Sequence, residues 1–278
     1  MPELPEVETI ARDLRAAGLP GRVLSCARVS WPRTVAEPDA AEFCRRVAGR
    51  RIESVGRRGK FLVITLAGGG HLLLHLRMSG RLDWCEPGAP RSPHEHVVLA
   101  FTDGRELRFH DTRKFGRLYL TEDAGRILGK LGPEPFAEDF TASAFQRALG
   151  RRRRRVKPLL LDQGFLAGLG NIYTDEALWE AGIHPARRAD TLAATEAHRL
   201  HRAIRRVLRR GLENLGTSLG TGKANYYSVG GRRGRNRDAL RVFRRTGEPC
   251  PRCGTPIVRI ILHGRGTHLC PRCQPERG

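Results

Sequence analysis

Apolar residues recur at Val7, Ile10 and Leu14, a spacing of i, i+3, i+7 that predicts a helix from Pro5 to Leu14. Pro5 suits the first helical turn, where its missing N–H costs nothing, and Gly18 with Pro20 ends the segment. From residue 22 to 120 the pattern shortens. RVLSCARV, KFLVITL, HLLLHL, HVVLAFT, LRFH and RLYL are short β-rich runs divided by Gly, Pro and Asp-Gly, which predicts a β-sandwich or flattened barrel. After Leu131, Gly132 and Pro133 the pattern turns helical. TASAFQRAL reads as one helix, and TEAHRLHRAIRRVLRRGLENLG as an amphipathic one with Leu200, Ile204, Val207, Leu208, Leu212 and Leu215 on one side and arginines on the other. Residues 159–215 contain no convincing strand. Residues 216–238, Gly- and Arg-rich without periodicity, read as a mobile loop. The predicted fold class is α+β and multidomain, divided at 1–132 (helix plus β-sandwich), 133–238 (helical) and 239–278 (a small metal module).

Charge changes this picture. The 278 residues carry 50 Lys and Arg against 29 Asp and Glu, a net of +21. Residues 151–278 hold 27 and 10 of these, a net of +17, against 23 and 19 in residues 1–150, a net of +4. Such an excess points to a polyanionic partner, nucleic acid before an anionic membrane. No stretch approaches the roughly 20 apolar residues of a membrane span. The first residues also lack the basic and apolar regions of a signal peptide, so a cytoplasmic monomer is expected.

Among the seven cysteines, Cys250, Cys253, Cys270 and Cys273 form two CPRC pairs sixteen residues apart, while Cys26, Cys44 and Cys85 are scattered. In a cytosolic chain this pairing predicts one structural zinc ion. Each CxxC bends so that both thiolates reach a tetrahedral metal, and four thiolates leave no open position for catalysis. The spacer reads as a hairpin whose HGRG turn presents Arg265, either as an outward-reaching functional group or as an ordinary solvated arginine.

The first residues, MPELPEVETI, cluster the scarcer charge around two prolines. Methionine is ordinarily removed before so small a residue as proline, which makes Pro2 the first residue. An α-amino group has a reference pKa of about 7.7–8.0, so this secondary amine is partly unprotonated near neutrality and can attack an electrophilic carbon to form an iminium. Glu3 can move protons for that chemistry. The competing reading is a helix N-terminus at which Glu3, Glu6 and Glu8 complement the dipole. On the residues alone both stay open.

PELPEVET together with the four-cysteine ribbon resembles the formamidopyrimidine-DNA glycosylase family of base-excision repair enzymes. RRGKFL at 57–62, HLRMSG at 75–80, DTRKFG at 111–116, GLGNIYTDEALWEAGIHP at 168–185 and GEPCPRCG at 247–254 follow in the family's order over nearly the whole chain. The resemblance implies a helix–two-turn–helix in the helical domain and a bifunctional DNA glycosylase and AP lyase. Such an enzyme removes 8-oxoguanine and formamidopyrimidines from duplex DNA without an organic cofactor. It assigns Pro2 as the nucleophile at C1′, Glu3 as its acid/base partner, and Lys60 and Arg265 as phosphate-binding members of the catalytic set, leaving helix capping to Glu8. It makes Met78, Arg113 and Phe115 the residues that fill the gap left by the extruded nucleotide, and His94, Arg153 and Asn171 further DNA contacts. The chain departs from the family in 216–238, which is shorter and more basic than the purine enzymes' loop. An oxidised-pyrimidine glycosylase of the same superfamily is the related alternative. A non-catalytic zinc-ribbon DNA-binding protein is the rival from another class, opposed by the joint presence of Pro2, Glu3 and Lys60.

Overall fold

The computed structural model describes residues 1–220 and 226–276. Residues 221–225, part of the loop expected at 216–238, lie outside the described residues. Two units emerge, Met1–Lys130 with Asn214–Arg237, and Leu131–Glu213 with Asp238–Gly278.

The first unit opens with α1 (Leu4–Ala16), β1 (Leu24–Val29), β2 (Val35–Glu37) and α2 (Ala40–Val47). It continues through β3 (Ile52–Arg58), β4 (Phe61–Leu66), β5 (His71–His75), β6 (Arg81–Cys85), β7 (Glu95–Phe101), β8 (Glu106–His110) and β9 (Arg117–Thr121) to a short α3 (Gly125–Leu128). A five-stranded sheet runs β2-β9-β5-β4-β3 and a four-stranded one β1-β7-β8-β6, which together make the expected β-sandwich. The period-2 pattern explains the burial. Along β4, Leu62, Ile64 and Leu66 point into the core while Phe61, Val63 and Thr65 stay half-buried. The inward leucines share one apolar cluster with Val97, Leu99, Leu107 and Phe109 of the other sheet. Helix α1 adds Val7, Ile10 and Leu14 to that cluster and packs against β3 and β4.

Helix α2 interrupts what the pattern reads as strand. Asp39 caps it by accepting the N–H groups of Ala41 and Glu42, and Phe43 and Val47, four apart, reach the core. Two buried apolar side chains in eight residues are too few for periodicity to separate helix from strand.

The second unit contains α4 (Ala142–Gly150), α5 (Val156–Leu161), α6 (Asn171–Ala181) and α7 (Ala194–Glu213), then the hairpin β10 (Val258–Leu262) and β11 (Arg265–Leu269). On α7, Leu200, Ile204, Val207 and Leu208 are buried as the heptad-like spacing requires. His201 joins them, its Nε2 bonded to the Phe140 carbonyl at 2.7 Å. Leu212 is only half-buried, and Leu215 lies past the helix end with a φ of 58°. The described flanks of the 216–238 loop are pinned in the first unit. Arg232 pairs with Asp13 at 2.6 Å, Ser218 Oγ donates to the Tyr226 carbonyl at 2.6 Å, and the Gly234 N–H donates back to Ser218 Oγ at 2.9 Å.

Helices α6 and α7 meet where Gly211 faces Tyr173, a ring that is 1% exposed. A Cβ at Gly211 would lie 2.6 Å from that ring and its hydroxyl. Alanine ordinarily stabilises a helix interior by about 1 kcal/mol over glycine. Here overpacking, at about 1–3 kcal/mol, decides the sign. Gly211→Ala is therefore expected to lower the thermal midpoint, as read by circular dichroism.

Candidate active site

Glu3 is the N-cap of α1 and only 2% exposed. It forms a capping box with Glu6, and its own N–H donates to Glu6 Oε2 at 2.8 Å. The other oxygen of Glu6 accepts the Thr217 N–H at 2.7 Å. Gly216 makes that approach possible, since its φ is 84° and an added Cβ would sit 2.8 Å from the Glu6 side chain. The capping role thus falls to Glu3 and Glu6. Glu8, expected as the cap, instead pairs with Arg12 at 2.9 Å, Arg15 at 3.2 Å and Arg57 at 3.2 Å. Pro2, buried, directly precedes this cap. Burial and the Glu6 carboxylate push the Tyr226 phenol upward, so it stays neutral beside the acids.

Lys60 lies on the connection between β3 and β4, the strands against which α1 packs. Gly59, with a φ of 56°, makes the tight turn between the paired residues Arg58 and Phe61. Lys60 is 4% exposed, unlike a surface lysine at a strand end. Its charge is felt by His75, whose imidazole is held down to about 3 by burial first, then by Arg77 and Lys60. The His75 ring is thereby kept neutral, and its Nδ1 accepts the Arg77 N–H at 3.0 Å.

Four further predicted residues stand on turns and loops of this unit. Met78 is 42% and Phe115 48% exposed, and with Ile261 they are the exposed large hydrophobics among the described residues. Neither Met78 nor Phe115 belongs to the core. The Arg113 guanidinium stacks over the Phe115 ring at 4.8 Å. His94 is exposed, with a φ of 69°.

In the second unit, Arg153 is exposed on the connection between α4 and α5, and Arg265 is exposed at the start of β11. Asn171 opens α6, its Nδ2 donating to the Gly266 carbonyl at 2.9 Å while its Oδ1 is buried without a partner. The periodicity gave no warning of Lys157. Fully buried, it donates to Asp175 Oδ1 at 2.6 Å, Thr267 Oγ1 at 2.8 Å and the same Gly266 carbonyl at 3.1 Å. The carbonyl that follows Arg265 is therefore held from two sides. Glu176 is also buried, and it accepts the backbone N–H groups of Arg241, Val242 and Phe243. Lys157 follows an arginine run and Asp175 adjoins Glu176, so no pattern in the sequence sets these charges apart.

The four ribbon cysteines converge, all sulfurs lying within 4.8 Å of one another. Sγ–Sγ separations are 3.9 Å for Cys250–Cys273, 3.5 Å for Cys253–Cys270 and 3.4 Å for Cys253–Cys273. A tetrahedron with zinc–sulfur bonds of about 2.3 Å has edges of about 3.8 Å, so the set fits one zinc ion and no disulfide. Trp179 Nε1 donates to Cys250 Sγ at 3.4 Å and the Cys273 N–H to Cys270 Sγ at 3.4 Å, bonds that favour thiolates. Trp179, Val242 and Ile257 close an apolar shell around the sulfurs.

Family models match along the chain: the formamidopyrimidine-DNA glycosylase N-terminal domain at residues 1–118, its H2TH domain at 131–222, and a zinc finger found in FPG and IleRS at 247–275. A formamidopyrimidine-DNA glycosylase of Chloroflexus aggregans is 48% identical, over 99% of this chain and 98% of its own. That of Protochlamydia amoebophila is 45% identical over 99% and 100%. The solved structure of Lactococcus lactis Fpg with DNA containing an abasic site superposes with a TM-score of 0.91 at 36% identity, covering 99% of this chain and 100% of that one.

Two outcomes are expected. Metal analysis should find one zinc per chain, and Cys253→Ser should lose it, with amide exchange accelerating around 250–276. His75 binds a proton more readily unfolded, near 6.5, than folded, near 3. Its contribution to stability is thus present above pH 6.5 and is lost as the pH falls toward 3. Denaturant midpoints measured against pH should fall less steeply over that window in His75→Asn.

Proposed function

Because the chain belongs to the formamidopyrimidine-DNA glycosylase family, we propose that the Pro2 amine is the nucleophile by which it excises oxidised purines from duplex DNA. The activity is that of a DNA glycosylase and AP lyase. The damaged base is extruded, because C1′ of a stacked nucleotide cannot be reached inside the helix.

With Met1 removed, the Pro2 nitrogen attacks C1′, the bond from C1′ to the base breaks, and the base departs with a proton. The C1′–O4′ bond then opens, with a proton delivered to O4′, and leaves the sugar as an iminium on Pro2. Loss of a proton from C2′ then expels the 3′ phosphate, and a second elimination expels the 5′ phosphate. Glu3 carries protons to and from the sugar. Its burial at the N-cap of α1, one residue after Pro2, supports that role. Lys60 supplies a point charge for the phosphate of the same nucleotide.

Met78, Arg113 and Phe115 occupy the gap that extrusion opens. An apolar wedge and a stacked ring replace lost stacking, and a guanidinium can hydrogen-bond the orphaned partner base. The observation that carries this reading is the exposure of Met78 and Phe115 on turns that flank Arg113, since apolar side chains left in solvent together mark a binding surface. Arg265, Arg153, Asn171 and His94 take backbone phosphates, with the N-terminal end of α6 adding its N–H groups. Genomic DNA as substrate places the protein at the nucleoid. Among the described residues no helix is long and apolar enough to cross a membrane.

Borohydride reduction of a reaction with duplex containing 8-oxoguanine tests the nucleophile. Wild-type protein should form a covalent adduct on a denaturing gel, and Pro2→Gly should form none. An undiminished adduct in that variant would remove Pro2 from the mechanism.

A further inference from the structure

The turns that carry the proposed gap-filling residues are strained. Arg77, just before Met78, has a φ of 53°, Lys114, between Arg113 and Phe115, has 59°, and His94 has 69°. Non-glycine residues in the left-handed region cost about 1 kcal/mol or more each and persist only where the surroundings hold them. One residue holds all three segments. Asp111, fully buried, accepts the Ser79 hydroxyl at 2.5 Å and the Arg113 N–H at 3.2 Å on Oδ1, and the Gly116 N–H at 2.7 Å on Oδ2. Its own N–H donates to the His94 carbonyl at 3.0 Å, and its carbonyl bonds His96 Nε2 at 2.8 Å. Gly80 and Gly116 close the arrangement. A Cβ at either would meet the Phe109 ring, at 3.0 Å and 2.3 Å.

We infer that Asp111 is a positioning residue for base extrusion, locking the Met78 turn to the Arg113–Phe115 turn so that the gap-filling set enters the helix as one rigid unit. An unfastened wedge would lose side-chain and backbone freedom on insertion, and Asp111 removes that cost in the free protein. The inference rests on the function proposed above. Asp111 touches no reacting atom, so its effect is confined to substrates that need the gap filled.

That confinement supplies the test. Single-turnover rates are measured for excision from duplex containing 8-oxoguanine and for cleavage of a single strand with a preformed abasic site, which has no base to extrude and no partner base. Asp111→Asn places an amide donor against backbone donors. It should lower the duplex to single-strand rate ratio on the order of tenfold or more, the size of a lost hydrogen bond to a charged group. Ser79→Ala, which removes the hydroxyl that donates to Asp111 and shares the Arg113 N–H at 3.3 Å, threatens the fold least and should lower the ratio by about threefold. Amide exchange at Arg113 and Gly116 should quicken in Asp111→Asn with the ribbon unchanged. An active wild type with an unchanged ratio in both variants would overturn the inference alone. Equal loss on both substrates would make Asp111 merely structural and overturn it as well. A wild type inactive on both would remove the functional reading and this inference with it.

Discussion

The Glu6 carboxylate bridges two backbone donors, one oxygen on the Glu3 N–H and the other on the N–H of Thr217, 211 positions beyond Glu6. Helix α1 needs its first donors satisfied, and the segment after α7 needs a reason to return to the first unit. A single buried acid answers both. Each bond from a backbone N–H to a buried carboxylate contributes about 1.5–3 kcal/mol, and an unpaired charge there would cost more than the bonds return. The arrangement is consequently all or nothing. Pro2 and Glu3 are held in place only because both ends of this bridge are occupied, and Gly216 has to be glycine for the second end to close.

The same device recurs wherever a proposed functional segment leaves regular structure. Asp111 gathers the turns around Met78 and Arg113. Asp175, through Lys157 and the His268 N–H, fastens β11, the strand that begins at Arg265. Glu176 takes three successive N–H groups ahead of the zinc ribbon. Loop backbone has donors that no helix or strand ladder satisfies, and an ionised carboxylate offers several lone pairs in a compact group. In a chain whose cations outnumber its acids, these few acids are spent on fixing loops from the inside.

That use of the acids explains how much of the fold and site was legible in the sequence. Strands such as β4 and β5 and the helix α7 announce themselves, because burial on one face imposes a period. The zinc ligands are legible because CxxC spacing is itself the chemistry. The roles proposed for Pro2, Glu3 and Lys60 come through resemblance, since a proline, an acid and a lysine have no pattern of their own. Asp111, Glu176 and Lys157 were not legible. Their partners are backbone groups, which every residue has, so nothing in the partner's identity marks the contact. The reading of Glu8 failed for a related reason. Three acids near a helix start look alike in sequence, and Glu8 is drawn away by Arg12 and Arg15 of its own helix and by Arg57 on β3.

Burial of the acids also bears on the polyanionic partner. An exposed carboxylate near a phosphate repels it, by about 1 kcal/mol at 4 Å in water and several-fold more where solvent is excluded. Glu3 and Glu6, nearly inaccessible, present little of that field to a passing backbone, while Arg113, Arg153 and Arg265 stand exposed. Salt screens charges beyond roughly 8–10 Å, so DNA arriving at the surface meets cations first. A nucleotide that enters far enough to meet Glu3 has already left the stack. In the proposed mechanism, that depth separates the charge needed for proton transfer from the charge needed for binding, and it lets a strongly basic protein begin with a cluster of acids.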